Sequence, residues 1–200
     1  MVPPQNRPED KRPRKKKGYL AGQLLIATPN IQFSCFEKSV ILMCLHNDDG
    51  AMGIIINHEI EDVSVRDVFT HFDIHSDHGL VELPVHFGGP VDTNVGFVLH
   101  SQDYMTKGTV MVTETLSMTS NRKVLEDIAS GCGPRKRLLA LGHAGWAPRQ
   151  LENEIEENSW ISVQADDQLI FGTGHENKWR LASEMLGVDP YRLSNAAGHA

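Results

Sequence analysis

The chain has 200 residues, 40% of them apolar and 22% charged, the balance of one globular domain able to bury a core. No apolar run approaches the roughly 18 residues a membrane helix needs, and no apolar stretch follows the N-terminal charges, so neither a membrane span nor a secretory signal is expected. The net charge is −7, but residues 1–17 hold seven Lys/Arg against Glu9 and Asp10, which leaves −12 on the remainder and argues against a broad nucleic-acid-binding face.

Residues 1–17 also contain four prolines and no apolar period, so they are expected to form a disordered basic tail. Such a tail could touch an acidic surface or nucleic acid. Residues 18–200 are expected to form the folded domain. Leu24–Ala27 is a strand that stops before Pro29. Phe36–His46 suits a buried strand, Asn47-Asp48-Asp49-Gly50 a turn, and Met52–Asn57 the second arm of a hairpin over residues 40–57. Ser64 can cap a helix from Val65 to about His71. Val85–Phe87 is a short strand leading into Gly88-Gly89-Pro90, and Gly96–His100 and Thr109–Leu116 are further strands. Thr119 or Ser120 is expected to cap a helix through about Ser130, stopped by Gly131 and Gly133.

Leu138–Leu141 predicts a strand, and Gly142-His143-Ala144-Gly145-Trp146 a turn from it into a helix ending near Asn158. Trp160–Gln164 and Leu169–Gly172 are expected to pair across Asp166-Asp167, and a last helix to run from about Glu176 to Leu186. Strands come in runs, with helices between some of them. That order favours a single α+β domain: a mixed, coiled sheet with hairpins, packed against several helices.

Three cysteines, Cys35, Cys44 and Cys132, form no C-x-x-C and no even set, so they read as small buried thiols in a reducing compartment. His71, His75 and His78 with Asp73 and Asp77 make the densest metal-like cluster, but the residues between suit a solvated loop, and no metal or cofactor is expected. Glu152, Glu154, Glu156 and Glu157 read as a solvated helix face. Gly142-x-x-Gly145 at a helix start would favour an anion, yet it lacks the Lys-Ser/Thr of a phosphate loop and the spacing of a dinucleotide fingerprint. No G-x-S-x-G occurs, and no catalytic residue is assigned.

Gly18-Tyr19-Leu20-x-Gly22-x-Leu24-Leu25-Ile26-Ala27-x-Pro29 resembles the opening of the YqgE/AlgH family. So do Phe36-x-x-Ser39-Val40, Gly50-Ala51-x-Gly53-Ile54-Ile55-Ile56-Asn57, Gly88-Gly89-Pro90-Val91 and Gly96-Phe97-Val98-Leu99-His100. Leu141-Gly142-x-Ala144-Gly145-Trp146, Gln150-Leu151-Glu152-x-Glu154-Ile155, Asn158-x-Trp160 and Lys178-Trp179 continue it in colinear order to the end of the chain. His143 stands where the family pattern has an aromatic, and the basic tail and the His71–His78 stretch lie outside it. The resemblance implies a compact α+β domain of the bacterial cytoplasm, functionally uncharacterised. Some members are labelled transcriptional regulators, but the resemblance brings no helix-turn-helix and no catalytic residues.

The leading reading is a non-enzymatic binding or regulatory protein for an unknown protein or small molecule. Its groove is expected near Asn57, Gly88, Gly89, Pro90, His100, Gly145, Trp146 and Gln150, where Gly-rich turns and polar residues end several strands. The alternatives are an enzyme acting on an anionic or phosphorylated small molecule, and a transcriptional regulator acting through the tail.

Overall fold

A computed structural model describes residues 19–76 and 82–187. The basic segment 1–17, and Asp77 and His78 of the histidine cluster, therefore lie outside the described residues. Nine strands are β1 (Gln23–Ala27), β2 (Val40–Asn47), β3 (Gly50–Ile55), β4 (Val85–Phe87), β5 (Val91–Ser101), β6 (Val110–Met111), β7 (Leu116–Thr119), β8 (Arg137–Trp146) and β9 (Trp160–Gln164). Four helices are α1 (Val65–His71), α2 (Arg122–Ala129), α3 (Gln150–Glu156) and α4 (His175–Glu184), with a π-helical turn at Gln168–Gly172.

The strands form one curled sheet in the order β6-β7-β5-β8-β3-β2-β1-β9. Every pairing is antiparallel except β4 with β8, so the sheet is mixed, as expected. Alternation along the strands sends successive side chains to opposite faces. One face carries Leu24, Leu42, Ile54 and Leu99, covered by Ile170 of the π turn and Trp179 of α4. The opposite face is divided. Val98 and Leu139 pack under α1 and α2, while Ile41, Ile55 and Trp146 pack under Leu151 of α3.

Local chemistry explains the elements that follow the sequence reading. Ser64 and Asp67 close a capping box at α1: Ser64 Oγ accepts from the Asp67 N–H at 3.3 Å, and the Asp67 carboxylate accepts from the Ser64 N–H at 2.9 Å. The hairpin of β2 and β3 turns at Asp48-Asp49, with Asn47 opposite Gly50.

Five expectations are corrected. Trp160–Gln164 pairs with β1, from Ala27 opposite Trp160 to Gln23 opposite Gln164, and not with Leu169–Gly172. Residues 168–172 coil instead, because Asp166 accepts from the Leu169 N–H at 2.8 Å and draws Leu169 and Ile170 into the core. Thr109–Leu116 divides into β6 and β7 around a turn at Thr113–Thr115, and Thr119 closes β7, so α2 is capped by Asn121, whose side chain accepts from the Lys123 N–H at 2.9 Å. Gly142–Trp146 is no turn: β8 continues through it to Trp146. Of the thiols only Cys44 is buried, which pushes it up to about 12, while Cys35 and Cys132 are exposed.

Candidate binding niche on the open sheet face

β8 joins the two halves of the sheet. On one edge it pairs with β5, from Arg137 to Leu141 and again where His143 faces Val91; on the other edge it pairs with β4 through Leu141 and with Gly53, Met52 and Ala51 of β3 from Ala144 to Trp146. On that second edge the partner changes from β4 to β3 around Gly142, whose φ of 74° is left-handed. Gly88 and Gly89 press against this bend. A Cβ on Gly88 would stand 2.2 Å from Gly142 O, and one on Gly89 would stand 2.2 Å from the His143 carbonyl carbon. The Gly88 N–H donates to Leu141 O at 2.7 Å, and Gly88 O accepts from the Ile55 N–H at 2.9 Å. The Gly-Gly step therefore ties β3, β4 and β8 together, and its Gly88 amide is not free for an anion.

Gly145 differs from these. It is exposed, its φ lies outside the left-handed region, and the nearest atoms to an added Cβ are His143 Nε2 and Val91 Cγ2, both at 3.8 Å. Nothing in the fold demands glycine there. Partners in an antiparallel ladder share a face, so the register aligns Gly145 with Met52, and Met52 with Leu45, in a stripe across three strands. Leu45 and Val91 are 43% and 40% exposed, which makes this stripe the uncovered end of the face that α4 covers elsewhere.

His143 forms the polar wall. Its ring stands edge-on to Phe97 at 5.5 Å. Its Nδ1 is buried without a hydrogen bond, 4.0 Å from the Asp92 carboxylate, and its Nε2 has no hydrogen-bond partner among the described residues. Asp92 has a φ of 50°, so the rim concentrates left-handed backbone at Asp92 and Gly142, a costly arrangement for a non-glycine residue. The niche thus has a bare backbone floor at Gly145, apolar walls at Val91 and Met52, and one imidazole edge. Pro90 is exposed on its rim.

The other residues of the expected groove go elsewhere. Asn57 clips a strand end: its side chain accepts from the Val40 N–H at 2.7 Å and donates to Lys38 O at 2.9 Å. Trp146 lies on the opposite face from Gly145, 7% exposed. Its indole N–H and that of Trp160 both donate to Glu154 Oε2, at 2.8 and 2.7 Å, and Gln150 donates to Glu154 Oε1 at 2.8 Å. Glu154 is therefore a clamp between α3 and the sheet, not a solvated side chain. Glu152 likewise faces His46, Oε1 to Nε2 at 3.5 Å. His100 is fully buried and opposite Arg137, eight residues along β8 from Gly145, roughly 25 Å at strand rise.

Known proteins show similar chains and the same architecture. Residues 24–191 match the family model DUF179, AlgH-like. The chain belongs to the AlgH-like family. A UPF0301 protein of Rhodospirillum rubrum is 44% identical over 187 residues, 94% of this chain and 97% of that one. A UPF0301 protein of Paracoccus denitrificans is 42% identical over 184 residues, 90% and 97% of the two chains. The solution structure of the AlgH protein from Pseudomonas aeruginosa is similar with a TM-score of 0.74 at 34% identity, covering 94% of this chain and all of that one. A crystal structure of protein DIP2367 from Corynebacterium diphtheriae shares the fold at a TM-score of 0.67 and 22% identity, covering 83% and 86%.

One feature of this AlgH-like fold escaped the sequence reading. Lys178 is 3% exposed on the inner side of α4, and its Nζ donates to Ile56 O and Ile170 O at 2.8 Å each. Burial pushes the amine down to about 8. His86, 5% exposed with Nδ1 3.2 Å from Leu139 O, is lowered to about 4, first by burial and then by the charge of Lys178. His175 pairs with Glu59 at 2.7 Å beside them. The signal was available: Lys178, Trp179, Ala182 and Ser183 form the core-facing stripe of α4, and one of its members is a lysine.

A cleft of about 890 Å³ also opens beside α1, walled by Phe69, Ile74, Leu83 and Val85 with Glu61 and Arg66 at its edge. None of the expected groove residues lines it. No helix among the described residues is long and apolar enough to cross a membrane, and no group of His, Cys, Asp or Glu among them could hold a metal ion.

Proposed function

We propose that this AlgH-like chain is a non-enzymatic binding protein with a regulatory role in the bacterial cytoplasm, and that its ligand seats over Gly145. The reading rests on one observation: an exposed glycine inside a paired strand, with ordinary φ and 3.8 Å of clearance, beside the unbonded edge of His143. Glycine in a strand costs about 0.5–1 kcal/mol relative to alanine, and such positions mark close approach of a ligand or another backbone. The niche suits a flat apolar group laid on the bare strand, with one polar atom meeting His143 Nε2. Exposed Pro90, next to Val91 in the chain, forms its rim, and the buried Gly88 and Gly89 only support the strand beneath. The exposed thiols of Cys35 and Cys132 suit a reducing compartment.

A lysine lowered to about 8 is the observation that favours the enzyme reading, since such amines are nucleophiles near neutral pH. Against it, Lys178 Nζ is held by two carbonyls in the core. Isotope-labelled protein titrated with adenosine, inorganic phosphate and a sugar phosphate separates the two. Binding at the niche predicts shifts confined to Gly145, His143, Val91 and Met52 with the neutral heteroaromatic, abolished by Gly145→Val. Phosphate-dependent shifts centred on Lys178 and His175 would transfer the protein to the enzyme class. No movement of Gly145 with any of the three, up to millimolar concentration, would falsify the niche.

A further inference from the structure

The face of β5 and β7 beneath α2 holds two polar side chains that the fold leaves unsatisfied. His100 and Ser117 are register partners in the antiparallel pairing of β5 with β7, and each is 0% exposed. His100 Nδ1 lies 2.9 Å from Ser101 O. A carbonyl only accepts, so Nδ1 carries the proton and Nε2 presents a lone pair. Neither that Nε2 nor Ser117 Oγ has a hydrogen-bond partner among the described residues.

Buried polar groups in native proteins are almost always paired, because an unpaired one keeps its full desolvation penalty. Two on adjacent positions of one sheet point to a shared partner. Directly opposite Cβ atoms are about 5 Å apart. The Ser117 hydroxyl and the His100 ring are therefore neighbours on this face of the sheet. Tyr104 stands edge-on to His100 at 5.5 Å, and its hydroxyl is already donated to Asp127 Oδ2 at 2.8 Å. Arg137, the register partner of His100 on β8, makes the surroundings unfavourable to a cation. The Asp127 carboxylate at the Tyr104 hydroxyl makes them unfavourable to an anion.

We propose that the space between His100 and Ser117 is an internal hydration site that holds one water molecule. The water donates to His100 Nε2, and its oxygen accepts from the Ser117 hydroxyl. This bridge joins β5 to β7 where the backbone ladder alone leaves two side chains unsatisfied. It gives His100 a role in cohesion instead of in any external groove.

A crystal structure at about atomic resolution and water–protein cross-relaxation by NMR test it on the unmodified chain. The expected result is one density peak within hydrogen-bond distance, about 2.7–3.2 Å, of both atoms. A cross-peak between water and the His100 ring should accompany it. A direct Ser117 Oγ to His100 Nε2 bond with no density between, or a dry gap, overturns the proposal. Stability supplies a second readout. Ser117→Ala should lower the folding constant about fivefold. His100→Phe combined with Ser117→Ala should cost less than the two single changes together, because both partners of the bridge are then gone. Strict additivity of the two changes counts against a shared water.

Discussion

Lys178 offers the sharpest quantitative test of the interior. Its amine is lowered to about 8 in the fold and returns to its ordinary 10.5 when the chain unfolds. Below pH 8 the amine is charged in both states, and the fold carries the whole cost of burying it. The difference of roughly 2.5 units corresponds to about 3 kcal/mol at 1.36 kcal/mol per unit. Between pH 8 and 10.5 the unfolded chain binds more protons than the folded one, so this group makes stability rise with pH across that window. A neutral amine still carries two N–H donors, so the contacts to Ile56 O and Ile170 O survive deprotonation. Lys178→Met removes the titration together with both hydrogen bonds. Chemical denaturation of the two proteins at pH 7.5, 9 and 10 isolates the effect, since Cys44 and the tyrosines titrate in both. Between pH 7.5 and 10 the unmodified protein should gain roughly 2.4 kcal/mol relative to Lys178→Met. Parallel stability curves would mean that the ammonium is solvated in the folded protein, and the burial argument would be wrong.

Acid should expose His86 in the opposite part of the pH scale. Its folded value of about 4 lies below the ordinary 6.5, so stability is lost as pH falls from 6.5 toward 4, and His86→Phe should flatten that limb in pH-dependent denaturation. Glu154→Ala leaves the indoles of Trp146 and Trp160 without an acceptor, which should cost about 2–4 kcal/mol and reduce near-ultraviolet dichroism. Unchanged tryptophan signals would show that another group holds the rings. Gly89→Ala should destabilise severely, because its Cβ meets the His143 carbonyl carbon at 2.2 Å, while Gly145→Ala should leave the melting temperature unchanged or slightly raised. Equal losses at the two positions would remove the distinction on which the niche rests. Deleting residues 1–17 should leave the melting temperature unchanged. Any DNA binding by the full chain should be steeply salt-dependent and disappear with that segment. A large stability loss on truncation would show the segment to be part of the fold.

Local chemistry made much of this fold legible. The β2–β3 hairpin declares itself through a polar turn between two apolar runs, and α1 through Ser64 with Asp67 three residues on. What escaped depends on partners distant in the chain. β9 reads as the arm of a local hairpin, yet β1 lies more than 130 residues away and takes it as the sheet edge. Gly142 and Gly145 look like punctuation between a strand and a helix, because glycine pairs usually mark turns. In the fold the first is a bend within β8 and the second an ordinary strand position. Trp146 and Gln150 stand close to Gly145 in sequence, but a strand alternates faces, so the tryptophan next to the glycine necessarily points away from it. That single geometric fact divides the expected groove in two.

The same fact supplies a criterion for the site. Gly88, Gly89 and Gly142 are glycines because backbone atoms of neighbouring segments leave no room for a Cβ, so the fold alone accounts for them. Gly96 has room, with its nearest atoms at 3.9 Å, but those atoms are Leu125, Leu139 and Phe72, and a methyl group there would only add to an existing core. Gly145 has room and faces outward, beside an imidazole with an unpaired ring nitrogen and at the end of an apolar stripe. Stability would favour a β-branched residue at such a position in a strand. On the function proposed above, close approach of a bound group over the bare strand offsets that cost, an approach that glycine alone permits.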